Sequence, residues 1–359
     1  MRNLFVLGVL FLFLVRPVSA QLKPGFDPRE YLECLNLGNS FYKRDSTAPP
    51  ISYGNYKKYY SSAVTPLQNK WEFWRNGNIG IISIRGTTSS NISWMENFYA
   101  AMIPAQGELH LNDSTTFRYK LASSPAAMVH VGWTTGLAYM APTILDQILK
   151  HYKVGVRSFI ITGHSQGGAI AFLLRSWLEY LDPDVLPKDI VIKTYCSAAP
   201  KPGNLQYAYD FDFITRNGYG FRVVNSLDWV PETPFSVQTL DDFNKLNPFT
   251  GFKAGLKEKP LLIRTYGKRA YNRLDKTTRK SVRLFQNYLG KTMYSQLKKS
   301  VKQMKRPEFA AGNNYQPAGT PIVLVPDAEY LEKYPDEGSN KFLHHGLTQY
   351  RMLVEKIYR

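Results

Sequence analysis

The 359-residue chain is 44% hydrophobic and 14% aromatic, enough to bury a substantial core as one large domain or two smaller ones, and it has no low-complexity tract. Cys34 and Cys196 are the whole cysteine complement, which excludes a disulfide framework. The net charge of +17 is local: residues 253–306 hold 17 Lys and Arg against Glu258 and Asp275, Arg2 and Arg16 supply two more charges, and the remainder balances.

Residues 1–20 read as a secretory signal, with Arg2 ahead of an apolar core from Leu4 to Val15 and an Ala-x-Ala-like site at Val18-Ser19-Ala20. The apolar run is too short to span a bilayer well. The expectation is an exported protein, secreted or periplasmic, whose mature chain (21–359) starts near Gln21. Asn91-Ile92-Ser93 and Asn112-Asp113-Ser114 match the N-glycosylation pattern, which matters in a eukaryotic secretory host.

A short helix is expected over 29–37, capped by Asp27 and stopped at Gly38. Strands at 71–74 and 80–84 flank an Asn76-Gly77 turn, and the second runs into the corner Gly86-Thr87. An amphipathic segment follows over 93–102, then a helix over 134–152 that Pro142 interrupts or kinks. Further strands are expected at 159–162, 190–196, 221–225 and 321–325, with a helix after Ser165 and another at the C-terminus. Strands alternating with helices indicate an α/β fold with a mostly parallel central sheet covered on both faces. Cys196 falls in a central strand, so a buried thiol suits it better than a disulfide to Cys34.

The chemistry gathers at Thr162-Gly163-His164-Ser165-Gln166-Gly167-Gly168-Ala169, a G-x-S-x-G between strand and helix. Such a turn holds the serine at its tip, and the amide of the next residue, Gln166, sits at a helix N-terminus suited to an oxyanion. A serine hydroxyl needs a base in contact with it, and that base needs a third group to orient it. In this topology the chain order is serine, acid, histidine. Asp228 follows a β-branched strand directly, whereas Asp241 and Asp242 have no strand leading into them. Downstream of Asp228 the histidines are His344 and His345. No His/Cys cluster has metal-ligand spacing, so neither a metal nor a cofactor is expected.

These residues carry a family resemblance over most of 70–350. Ile84-Arg85-Gly86-Thr87 with Trp94, His130-Val131-Gly132-Trp133, the serine elbow, Pro200-Lys201-Pro202-Gly203-Asn204, and Arg222 to Pro231 occur in the order found in class 3 lipases. The chain therefore resembles that α/β-hydrolase family. His345-Gly346-Leu347-Thr348-Gln349-Tyr350 is similar to the family's His-x-Leu-x-x-Tyr, which selects His345 over His344. The resemblance implies Ser165 as nucleophile, His345 as base and acid, Asp228 as its orienter, and the Thr87 and Gln166 amides as oxyanion hole. It implies an exported serine carboxylester hydrolase acting on lipid esters. Gln166 replaces the family's usual Leu, and Asn97 stands where Asp is frequent, a change expected to alter the entrance near Trp94.

The interval from Asp228 to His345 is longer than in the fungal enzymes because of the basic segment. Within it, Val282, Phe285, Leu289, Met293, Leu297, Val301 and Met304 form a stripe at helical spacing, with Gly290 as the expected break. Two readings stand: a cap over about 240–315 whose basic residues (253–306) meet anionic membrane surfaces, or a packed helix with a solvated charged face. No nucleic-acid-binding motif is recognisable, so nucleic acid is not an expected partner. Two other functions share these features: a non-catalytic lipid- or envelope-binding module, and a serine peptidase using the same elbow.

Overall fold

The computed structural model describes residues 22–42 and 53–358; the signal-sequence expectation for 1–20 lies outside them. Helix α1 (Pro28–Gly38) is capped by Asp27, whose side chain accepts from the amides of Arg29 and Glu30. Strands β1 (Lys57–Ser61), β2 (Trp71–Asn76) and β3 (Ile79–Ile84) run antiparallel. Helices α2 (Asn91–Phe98) and α3 (Val131–Lys153) lead to β4 (Ser158–His164), followed at once by α4 (Gln166–Glu179). After β5 (Val191–Ser197) come α5 (Leu205–Ile214), β6 (Gly220–Asn225), the long α6 (Leu261–Phe285), β7 (Thr320–Leu324) and α7 (Leu347–Ile357).

The main sheet has seven strands in the order β1 to β7, and every pair from β3 onward is parallel. Successive side chains on a strand face opposite sides. Accordingly Phe159 and Ile161 of β4 join one core, with α3 and α4, while Ile160 joins another, with α1 and α7. Both faces are thus covered by helices, and the strand ends at Gly163, Ser197 and Asn225 lie along one edge, where the loops carrying Ser165 and Asp228 begin. This is the α/β-hydrolase arrangement.

Three local expectations need correction. The helix near 93–102 ends at Phe98, and Met102–Pro104 is a strand of a second, four-stranded sheet. Of the two expectations for Pro142, interruption does not occur: helix α3 is continuous through it, where Leu137, Ala138, Ala141 and Ile144 are all buried, and that packing outweighs the lost backbone bond. Gly290 does not split the basic segment; a π-helical turn (Gln286–Thr292) carries α6 on into Met293–Leu297. Cys34 and Cys196 are buried free thiols.

The stripe in the basic segment is used on the protein's own core. Val282, Leu297, Val301 and Met304 are buried, and Tyr294 donates to the Met304 carbonyl at 2.7 Å. The first twenty residues of α6 are different. Leu261, Leu262, Ile263, Tyr266 and Leu274 are exposed, with Leu262 at 85%.

Candidate active site

The serine elbow forms because β4 and α4 meet with no room between them. A Cβ on Gly163 would overlap the backbone of Gly167, and one on Gly167 would overlap the Ile84 carbonyl, so only glycine permits this approach. Ser165 takes the remaining strain at φ 60°, ψ −127°, an unfavourable conformation for a residue with a side chain. Its amide donates to the Ser197 carbonyl at 2.9 Å, fixing the tip to the end of β5. Gln166 starts α4, and the first amides of a helix have no intrahelical acceptor.

Asp228 sits three residues beyond β6 with its carboxylate fully shielded from solvent. Its Oδ2 accepts from His345 Nδ1 at 2.7 Å and from the Tyr350 hydroxyl at 2.8 Å, while Oδ1 accepts from the Val230 amide at 3.0 Å. Burial, then the Asp228 charge, holds the Tyr350 phenol well above the usual range, so it stays a donor. With Nδ1 committed to Asp228, His345 has Nε2 left as its basic nitrogen.

His164 links this pair to the elbow. Its Nε2 donates to the His345 carbonyl at 2.6 Å, and its Nδ1 accepts from Ser197 Oγ, itself 2.6 Å from the Tyr31 hydroxyl. Burial, reinforced by His345, pulls the His164 pKa down to about 3, so the ring is neutral and this tautomer persists. His344 faces away: its Nε2 bonds Asp336 at 2.7 Å, its Nδ1 meets Tyr330, and Asn225 donates to its carbonyl at 3.0 Å. The structure thus brings Asp228 together with His345 and separates His344 from it. Asp241 pairs instead with Arg279, on the basic helix.

The corner before α2 brings Gly86 beside Ser165: a Cβ on Gly86 would lie 3.6 Å from that of the serine. Thr87 is held there by Asn97, whose Nδ2 donates to Thr87 Oγ1 at 3.0 Å and whose Oδ1 accepts from Trp133 Nε1 at 2.9 Å. Asn97 therefore faces inward rather than toward the entrance. His130 caps α3 by accepting the Trp133 amide at 3.2 Å, and its Nε2 donates to the Asn97 carbonyl at 3.1 Å. The paired His130 and Trp133 of the sequence motif are thus the floor beneath Asn97. Outside, Trp94, Phe98, Trp229 and Phe342 make an aromatic rim, with Phe342 5.8 Å from the His345 ring. Phe98 is 54% exposed and Trp229 42%, so the rim is open to solvent.

Residues 81–238 match the family model described as Lipase (class 3), a span that includes Thr87, Ser165, Gln166 and Asp228 and stops short of His345. Over that span the chain is similar to the class 3 lipases. It is 27% identical over 194 residues to the triacylglycerol lipase OBL1 of Ricinus communis, covering 45% of this chain and 36% of that one. It is 34% identical over 115 residues to a lipase of Rhizopus oryzae, covering 30% and 27%. The chain thus spans about a third of the length of the curated relatives it matches. Among solved structures, a lipase from Rhizopus microsporus var. chinensis aligns with a TM-score of 0.39 at 22% identity, covering 58% of this chain and 69% of that one. Of the groups that build this site, the sequence left His164, Tyr350, Ser197 and Tyr31 without roles. His164, adjacent to the serine, and Tyr350, five residues after His345, were marked by position; Ser197 and Tyr31 had no local signal.

Proposed function

We propose that this protein is an exported serine carboxylester hydrolase acting on lipid esters through Ser165, His345 and Asp228. The observation that carries the reading is the buried Asp228–His345 bond, tied by His164 to the strained serine elbow. Ser165 Oγ attacks the ester carbonyl and its proton passes to His345 Nε2; Asp228 holds the ring and stabilises the imidazolium. The Thr87 and Gln166 amides receive the oxyanion of the tetrahedral intermediate. His345 then protonates the departing alcohol, and a water deprotonated by His345 releases the acid from the acyl-enzyme. The aromatic rim supports an apolar acyl substrate, and the relatives named triacylglycerol lipase support an ester of that class. Export rests on the sequence of residues 1–20.

The same proposal gives the basic segment an anionic lipid surface as partner. Helix α6 carries eight Lys and Arg against Asp275, beside its exposed Leu261, Leu262, Ile263 and Tyr266. Each cation near an anionic surface contributes about 1 kcal/mol, and apolar side chains at the helix start add burial in the interface. The cap role of about 240–315 rests on its place in the chain between Asp228 and His345.

The test is hydrolysis of p-nitrophenyl esters of increasing acyl length by the mature protein, with Ser165→Ala and a variant neutralising the Lys and Arg of 261–285 alongside. The serine variant is expected to lose about 10³-fold or more in kcat. The neutralised variant keeps its rate on soluble esters and loses binding to phosphatidylserine-containing vesicles. Full activity in Ser165→Ala overturns the mechanism; unchanged vesicle binding in the neutralised variant overturns the partner.

A further inference from the structure

Behind the proposed oxyanion hole lies a carboxyl group fully buried on the inner side of α2. Glu96 Oε2 accepts from Asn69 Nδ2 at 2.8 Å and from Gln166 Nε2 at 3.1 Å. Gln166 Nε2 also donates to the Ser93 carbonyl at 3.2 Å, and its Oε1 accepts from Ser93 Oγ at 3.3 Å. Ser93 Oγ in turn accepts the Thr88 amide at 3.1 Å, which ties in the corner that bears Thr87. Asn69 is fixed by the Thr65 hydroxyl at 3.0 Å. No more than 2% of Asn69, Ser93, Glu96 or Gln166 is exposed.

Packing alone does not require this arrangement. Leu, the residue usual in the family at position 166, fills a buried site without any polar partner, whereas a buried carboxyl and carboxamide must each be satisfied. Glu96 Oε1 has no hydrogen-bond partner, and it faces Gly136 of α3, where a Cβ would overlap it. The groups that face Glu96 from the 65–69 loop, α2, α3 and α4 are Asn69, Ser93, Gly136 and Gln166, none of them ionisable. Burial drives its pKa well above the usual carboxyl range and the Asn69 bond offsets only part of that, so the neutral acid is the form the fold accommodates.

The chain of bonds spans the two residues whose amides form the proposed hole. One end is the side chain of Gln166 on the first turn of α4; the other is the Thr88 amide beside Thr87. We propose that Glu96 and Gln166 are positioning residues of the oxyanion hole, latching α2 and the Thr87–Thr88 corner to the first turn of α4 so that the two amides converge on one point. This rests on the hydrolase reading of Ser165. Ionisation of Glu96 as pH rises places an uncompensated charge in the latch and loosens it.

The experiment measures kcat and KM on a soluble p-nitrophenyl ester over a series of rising pH values for the wild-type protein, Gln166→Leu, Glu96→Ala and Glu96→Gln, with the melting temperature of each. Gln166→Leu and Glu96→Ala are expected to lose about tenfold in kcat at little change in KM, a fraction of the ~10²-fold cost of deleting an oxyanion donor outright. Glu96→Gln, which preserves an acceptor for Asn69 and Gln166, recovers kcat to within about threefold of wild type and lacks the fall that Glu96 ionisation causes as pH rises. Variants that melt lower but share the wild-type kcat and pH profile overturn the proposal, as does a Glu96→Gln no better than Glu96→Ala. Failure of the wild-type protein to turn over any ester is a different result: it takes down the hydrolase reading, and the positioning role falls with it.

Discussion

At the scale of single residues, the site depends on holding one carboxylate in a fixed orientation where solvent does not reach. Three donors hold Asp228 in that state, from His345, Tyr350 and the Val230 amide. Tyr350 takes no part in proton transfer, yet its phenol is locked as a donor by burial and by the carboxylate it serves. Replacing it with phenylalanine removes one hydrogen bond to a charged group, worth about 1.5–3 kcal/mol, and frees Asp228 to rotate away from His345. Tyr350→Phe is therefore expected to lower kcat by about ten- to a hundredfold while KM stays near its original value. Steady-state kinetics on a soluble ester check this, and an unchanged kcat would mean that His345 and Val230 hold Asp228 without help. The same accounting removes His164 as a rival base, since one of its nitrogens donates to the His345 carbonyl and the other accepts from Ser197.

At the scale of elements, the chain divides into parts whose position is fixed twice over and one part that is not. Helix α4 is buried along nearly its whole length between sheet and α3, while α6 buries Val282 alone of its 25 residues. Local opening is cheapest where few apolar contacts are lost. Amide hydrogen exchange is thus expected to label residues 261–281 first, well before 166–179, and anionic vesicles should slow that labelling if α6 lies on their surface. Equal protection of the two helices in the free protein would contradict this. Six of the seven main-sheet strands were legible because their β-branched or aromatic runs are bounded by turns, while the edge strand β1 (Lys57–Ser61) was not read as a strand, and the serine elbow was legible because its glycines are obligatory. The hairpin of Gln106–His110 and Thr116–Lys120 was not. Gln106–His110 buries only Leu109 and contains Gly107, so it shows no hydrophobic period, whereas Thr116–Lys120 does alternate, with Phe117 and Tyr119 buried between exposed polar residues, but at five residues it is too short to stand out alone. Likewise nothing around Gln166 announced a network: its partners come from positions 69, 93 and 96, which only the fold brings together.

At the scale of the whole molecule, the two unusual features are a surface charge gathered on one segment and a buried acid with no charge nearby. The first concerns partners and leaves the core untouched; the second enters the folding equilibrium. In the unfolded chain Glu96 ionises near its reference pKa of about 4.3. In the folded protein burial holds that pKa well above this value, and no charged neighbour opposes it. Between the two values the folded chain keeps a proton that the unfolded chain has released, so stability falls as pH rises. The contribution of the neutral acid is fully present below about pH 4 and has been lost once the folded pKa is passed. Glu96→Gln cannot ionise in either state and lacks this slope. The unfolding free energy of wild type minus that of the variant should decrease with pH, by up to ~1.4 kcal/mol per unit between the two pKa values. All other carboxyls and histidines occur in both proteins, so their contributions cancel in the difference. Urea denaturation of the pair at a series of pH values and fixed ionic strength measures it. A difference that stays constant from acid to neutral pH would mean that Glu96 is ionised in the folded protein, and the hydrogen bonds from Asn69 and Gln166 would then be those of a carboxylate.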